Sequence, residues 1–414
     1  MAEKTNVPEI RFAGFTDPWE QRKLGNCGTT YGGLTGKTKE DFGHGNARFI
    51  PYTNVFDNPL TDTKRLEAVE IDSSQNQVAY GDAFFTVSSE TPDEVGMSSV
   101  WLSDQEDVYL NSFCFGYRQD STFDPHYLAY MLRSRSVRPN LTLLAQGISR
   151  FNISKNKVME LSVPVPSAVE QEQLGQYFTK LDSLITLHQR KYDKLAQLKK
   201  SMLDKMFPKP GERFPEIRFA GFTDPWEQRK LGEVAHRVIR KNEGNQSDLP
   251  LTISAQHGLV DQRDYFNNQV ASRDMSGYYL LENGEFAYNK STSSDSPWGA
   301  IKRLTKYEKG CLSTLYICFG LDQGDPDFLV TYYETNRWHG AVQMIAAEGA
   351  RNHGLLNIAP DDFLETALTL PCSTEEQKQI GCFFTQLNSL ITLHQRKLEL
   401  LRNTKKSLLD RMFV

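Results

Sequence analysis

Apolar positions in this chain follow two patterns, and each pattern occurs twice. Across residues 26–166, and again across 233–372, short runs of aromatic and β-branched residues are separated by Gly, Asn and Asp turns. Residues 48–52, 83–87, 108–110 and 312–319 read as strands on this basis. Each stretch also holds one marked helix start, Asp124-Pro125 and Asp325-Pro326. An Asp whose side chain caps the first turn, followed by a Pro that needs no donor there, predicts a helix over the apolar residues beyond. From residues 174 and 380 onward the pattern becomes a heptad. The first seam reads Leu174, Phe178, Leu181, Ile185, His188, Tyr192, Leu195, Lys199, Met202, Met206. The second reads Ile380, Phe384, Leu387, Ile391, His394, Leu398, Leu401, Lys405, Leu408, Met412, and its two polar breaks fall at the same places. Ser167-x-x-Glu170 and Ser373-x-x-Glu376 ahead of these seams predict capping boxes. A seam this long is a coiled-coil signal, whereas packing on its own domain accounts for about a dozen residues. The two helices, each roughly 38 residues or about 57 Å at 1.5 Å per residue, are expected to pair antiparallel.

The doubling extends to identity. Residues 8–25 return unchanged as 215–232, and residues 183–191 return as 389–397. The stretches between these shared runs hardly resemble one another. Two copies of one frame with dissimilar inserts suggest a device that reads two different things at a fixed separation.

Composition narrows the class. The 414 residues are 39% hydrophobic and 24% charged, which is ordinary for a globular protein, and the net charge is −5. Nucleic-acid contact must therefore use local basic patches or charge borrowed from a partner. No run reaches the roughly 18 apolar residues of a membrane span. The start, Met-Ala-Glu-Lys-Thr, has no export pattern, so a cytoplasmic location is expected. Cys27, Cys114, Cys311, Cys318, Cys372 and Cys382 form no C-x-x-C and have no His at zinc spacing, which predicts free thiols and no metal site.

Catalytic motifs fail one by one. Residues 31–38 look like a phosphate-binding loop, but Tyr31 stands where G-x-x-x-x-G-K-T needs glycine. Asp124-Pro125-His126-Tyr127 and Asp325-Pro326-Asp327-Phe328 approach the D-P-P-Y of amino-methyltransferases but lack its second proline, and helix capping accounts for them. Pro360-Asp361 with Glu376-Gln377-Lys378 fits a loose nuclease pattern, yet Glu376 is needed at the helix start and the first copy has no such lysine. His188 and His394 lie on the seam, where a polar residue fixes register.

The inserts carry more suggestive polar loops. Ser149, Arg150 and Asn152, with Lys155 and Lys157 close behind, follow Gly147 just before the first long helix. Arg351, Asn352 and His353 follow Gly349 at the matching place. Arg can read guanine edges and Asn adenine edges, while Lys and Ser hold phosphates. Lys290, Ser291, Lys302 and Arg303 lie upstream in the second copy. Ser88, Ser89, Lys37 and Lys39 are their candidate counterparts in the first.

These residues together resemble the specificity subunit of type I restriction-modification systems. The resemblance rests on the shared opening run with Phe-x-Gly-Phe and Trp-Glu-Gln-Arg-Lys-Leu-Gly. It rests also on Val163-Pro164-Val165-Pro166 with Glu170-Gln171, on Leu370-Pro371 with Glu376-Gln377, and on the loop ending Ser149-Arg150-Phe151-Asn152-Ile153. It implies an α+β fold: two tandem α/β target-recognition domains, separated by a pair of long antiparallel coiled-coil helices and related by an internal pseudo-two-fold repeat. The expected layout is residues 1–166 and 215–372 for the domains, 167–207 and 373–414 for the helices, and 208–214 for the linker. It implies double-stranded DNA as ligand, two methyltransferase subunits docked through the helices, and restriction subunits reached through the complex. No catalytic residue is implied in this chain, with S-adenosylmethionine, ATP and Mg on the partners. No base-reading residue transfers by motif, so the candidates above come from local chemistry alone. Leu174, Phe178, Leu181, Ile185 and His188, with Ile380, Phe384, Leu387, Ile391 and His394, are the expected helix-pair or partner seam.

The helix length bounds the separation of two reading heads at roughly 16 base pairs. Dissimilar inserts predict an asymmetric target. Two rivals stand beside this reading: a stand-alone DNA methyltransferase or nuclease, and a non-catalytic scaffold with two protein ligands.

Overall fold

The computed structural model, which describes residues 6–254, 258–266, 271–272, 274–293, 296–346 and 354–414, builds the same four-stranded antiparallel sheet in each half of the chain. In the first half the strands run Gly28–Gly32, Cys114–Gln119, Ala83–Thr86, Ser98–Val100 across the sheet. In the second they run Ala235–Arg237, Ile317–Leu321, Phe286–Asn289, Ala300–Arg303. The inserts thus share a sheet order although their sequences have diverged. The stacked pair beneath the sheet is also repeated: Phe85 and Phe115 lie 5.1 Å apart, Phe286 and Phe319 5.2 Å. What differs is the added β structure. The first half carries a three-stranded sheet of Glu67–Val69, Phe42–Ile50 and Val108–Leu110, and the second carries two separate two-stranded ribbons in its place.

Two expected elements are redrawn. Residues 312–319 are not one strand: Lys309–Leu312 ends, a turn brings the Tyr316 amide to the Ser313 carbonyl, and Ile317–Leu321 begins. Residues 48–52 are strand only to Ile50, and helix Tyr52–Asp57 starts after Pro51. Both helix starts with Asp-Pro form as expected. Asp124 accepts from the Tyr127 amide at 2.9 Å and Asp325 from the Phe328 amide at 2.8 Å.

The long helices run Ala168–Lys205 and Thr374–Arg411. The chain divides into two units, Met1–Arg190 with Gln395–Val414, and Lys191–His394. Each unit therefore holds the first part of one long helix and the last part of the other. Within the first unit the pair is antiparallel. Phe178 meets Phe413 at 5.6 Å, Asp182 meets Lys405 at 2.6 Å, and Gln189 meets Arg402 at 3.0 Å. Within the second, Phe207 meets Phe384 at 6.2 Å.

The seam has a double use. Leu174, Phe178 and Leu181 are buried in the core of the first domain with Trp19, Tyr127, Met412 and Phe413. Ile380, Phe384 and Leu387 are buried in the core of the second with Trp226, Phe328, Met206 and Phe207. Ile185, His188, Ile391 and His394, farther along, are half-buried. The same apolar stripe thus serves its own domain and the opposing helix at once.

Of the expected capping boxes, the serine half forms in the first copy, where the Glu170 amide donates to the Ser167 hydroxyl at 3.4 Å, while both glutamate side chains turn to longer-range contacts. Glu170 takes two hydrogen bonds from Arg11, at 2.7 and 2.8 Å, and one from the Trp19 indole at 3.1 Å. Glu376 takes the same three from Arg218 and Trp226, at 2.6, 2.8 and 3.3 Å. A buried carboxylate gains more from a guanidinium fork than from a helix end that water can reach. The neighbouring Gln171 and Gln377 accept from the Asp124 and Asp325 amides, which docks each Asp-Pro helix on its long helix.

Candidate nucleic-acid interface

In the first domain the polar loop is a short β-hairpin. Gln146 and Asn152 exchange both backbone hydrogen bonds, at 2.9 and 2.8 Å. Gly147 has φ +138° and sits so close to the Arg150 carbonyl that a side chain there has no room. Only glycine closes this turn. The far leg is anchored, because Phe151 and Asn152 pair with Ser89 and Ser88, and Ile153 donates to the Val87 carbonyl at 2.9 Å. The hairpin therefore holds Ser149, Arg150 and Asn152 in solvent on a fixed support.

Beside it lies a cleft of about 340 Å³ whose walls include Tyr52, Phe56, Phe113, Ser88, Glu90, Glu94 and Arg150. Tyr52 and Phe56 stack at 5.9 Å, and the Tyr52 hydroxyl donates to the Ser88 carbonyl at 2.7 Å. Phe113 is 62% exposed. Aromatic faces next to a guanidinium offer stacking and hydrogen bonding to a base.

The other candidates separate by whether their charge is already spent. Lys155 and Lys157 are exposed and make no ion pair among the described residues, and the same holds for Lys39. Lys37 is paired with Asp72 at 2.8 Å. That hydrogen bond raises the Lys37 pKa and, with two more from Ser74, holds the Asp72 carboxyl far below the usual carboxylate range. Ser89 is buried and its hydroxyl donates to the Thr91 carbonyl.

In the second domain Arg303 is held by Asp327 at 2.8 Å, at the start of helix Pro326–Glu334. Lys302 is recessed, and burial lowers its pKa against the opposing pull of Glu334. Burial also lowers the pKa of Lys290, whose amine donates to the Ile358 carbonyl at 3.3 Å. Ser291 is exposed, in a bridge to Leu355. Arg351, Asn352 and His353 lie outside the described residues. The structure thus gathers Ser88, Ser89, Ser149, Arg150, Asn152, Lys155 and Lys157 around one hairpin. It leaves Lys37, Lys302 and Arg303 tied to their own domains. The aromatic wall of Tyr52, Phe56 and Phe113 is added, and nothing local in the sequence marks it, since exposed and buried aromatics look alike there.

The model of the type I restriction modification DNA specificity domain matches residues 16–197. Residues 16–197 belong to that family. The second half repeats the opening run, the sheet order and the carboxylate clasp. Among curated proteins, a putative type I restriction enzyme MjaX specificity subunit of Methanocaldococcus jannaschii is 24% identical over 248 residues. That match spans 57% of this chain and 56% of the relative, so the alignment covers little more than half of the relative's length. The type I restriction-modification S subunit from M. genitalium shares the fold, with TM-score 0.57 at 14% identity over 99% of both chains. The HsdS subunit from Thermoanaerobacter tengcongensis also aligns, at TM-score 0.45 and 16% identity over 97% of this chain and 98% of that one. Among the described residues, no helix is long and apolar enough to cross a membrane.

Proposed function

We infer that this chain is the DNA-recognition subunit of a type I restriction-modification complex. Each domain reads one half of a bipartite, asymmetric target. The observation that carries this is one sheet order and one buried clasp, repeated around inserts whose sequences hardly resemble one another. A frame kept constant while its surface diverges is the form expected of two reading heads with different half-sites.

The long helices set the spacer and dock methyltransferase subunits. In their shared run, Leu184 and Leu187 are 44% and 46% exposed, and Leu390 and Leu393 are 46% and 47% exposed. Two identical apolar patches suit two copies of one partner. The chain itself is non-catalytic and acts in the cytoplasm. S-adenosylmethionine, ATP and Mg act on the methyltransferase and restriction subunits. The net charge of −5 leaves the partners to complete a positive surface for DNA.

Mapping methylated adenines in a host that carries the methyltransferase tests this reading. Exchanging residues 26–166 for another insert changes one half-site and leaves the other. Adding one heptad to each long helix changes only the spacer. A change in both half-sites from the single exchange would refute it.

A further inference from the structure

Ile148 stands at the tip of the 146–152 hairpin and is 98% exposed, more than any other large apolar side chain described. The hairpin beneath it is held by backbone hydrogen bonds. Both legs are hydrogen-bonded, Gly147 locks the turn, and Ile153 at its base is buried. Arg150 lies two residues away, and Lys155 and Lys157 follow it, all exposed and without an ion pair among the described residues. A chain that needed only a solvated turn has no use for an isoleucine held out on such a support. Apolar side chains presented this way, flanked by unspent cations, are the form of wedge that enters a duplex and unstacks a base step. The cations then hold the phosphates on either side.

We propose that Ile148 is a DNA wedge: on binding it enters the base stack of the first half-site, with Arg150, Lys155 and Lys157 gripping the backbone around it. This rests on the DNA-reading function inferred above. The wedge opens one step of the half-site and makes recognition sensitive to how easily that step unstacks, a form of reading that needs no base-edge hydrogen bond.

The test uses the full chain in complex with its methyltransferase subunits on the target duplex. 2-Aminopurine is placed in turn at positions of the first half-site other than the methylated adenine. The wild-type complex raises the fluorescence several-fold at one step. Ile148→Ser abolishes that rise and weakens binding by about tenfold, the scale of a lost unstacking contact. A mismatch at the same step restores most of the lost affinity, since the stack is already open, and Ile148→Leu behaves as wild type. The residue is solvent-exposed, so both variants keep the wild-type melting temperature. A wild-type footprint over both half-sites with no fluorescent step in the first, or Ile148→Ser binding as tightly as wild type, overturns the wedge and leaves the recognition function standing. Absence of any sequence-specific footprint overturns the recognition function itself.

Discussion

The Ile10 amide donates to the Arg411 carbonyl at 3.0 Å, and the Ile217 amide donates to the Lys205 carbonyl at 2.9 Å. The opening run of each half is thus pinned to the end of a long helix, and the last turn of that helix enters the core beside it. Phe413 packs against Trp19, Tyr127 and Phe178 at 6.4, 5.7 and 5.6 Å. The first domain is therefore finished by residues almost 400 positions downstream of Trp19. Phe413→Ala removes a buried ring and costs about 3–5 kcal/mol. Hydrogen exchange should quicken in strands Glu20–Lys23 and Ser162–Val165 and stay unchanged in Glu227–Lys230. Phe207→Ala should give the reverse.

The clasp of Arg11 on Glu170 predicts a sign that a surface ion pair would not. Glu170 is buried and Arg11 nearly so. Glu170→Gln leaves a guanidinium without its counter-charge and costs about 3–5 kcal/mol, read as a fall in the urea midpoint. The double substitution Arg11→Met, Glu170→Met costs less than either single change, because no charge is then stranded. The second copy should answer in the same way at Arg218 and Glu376.

Gly175 and Gly381 lie inside the long helices, where glycine is about 1 kcal/mol worse than alanine. Packing explains them. A Cβ at Gly175 would stand 2.6 Å from the Tyr127 amide nitrogen, and one at Gly381 2.6 Å from the Phe328 amide nitrogen. Gly175→Ala should therefore destabilise by about 1–3 kcal/mol despite its better helix propensity. A melting temperature raised by the substitution would remove the close approach of helix Pro125–Met131 from the account.

Local rules made the helices readable. Asp124 and Asp325 announced their caps, and the heptads from Leu174 and Ile380 announced both long helices. What stayed hidden depended on partners far along the chain. Glu170 looked like a capping residue because its ligand, Arg11, is 159 positions away. Met412 read as one more seam position and Phe413 only as part of the helix 373–414, yet both complete a domain core. The common sheet order was invisible because diverged side chains can satisfy one backbone pattern. Among the basic candidates, sequence could not tell Arg150, which is free to meet a phosphate, from Arg303, which Asp327 already holds.

Lys302 offers a pH test of that distinction. Burial lowers its pKa from the ordinary 10.5, with Glu334 attracting and Lys199 repelling the charge. A lysine with a depressed folded pKa binds fewer protons folded than unfolded between the two values, so stability rises with pH across that window. Below the folded value the penalty is at its full size. Lys302→Met should therefore raise the melting temperature at neutral pH, by an amount that shrinks as pH climbs toward 10.5. A gain independent of pH would mean that the amine is not paying for burial.

The unspent cations predict a salt signature. Each Lys or Arg that neutralises a phosphate steepens the fall of affinity with salt by about one unit of slope. Replacing Lys155 or Lys157 by Gln should lower the slope by about one and weaken binding to all sequences alike. Lys37→Gln should leave the slope unchanged, because Asp72 already holds that charge at 2.8 Å. The comparison is made with the full complex at several salt concentrations on target and random duplexes. Equal effects from Lys37 and Lys155 would show that the ion pair opens on DNA, and that the interface reaches past the hairpin to the loop carrying Lys37.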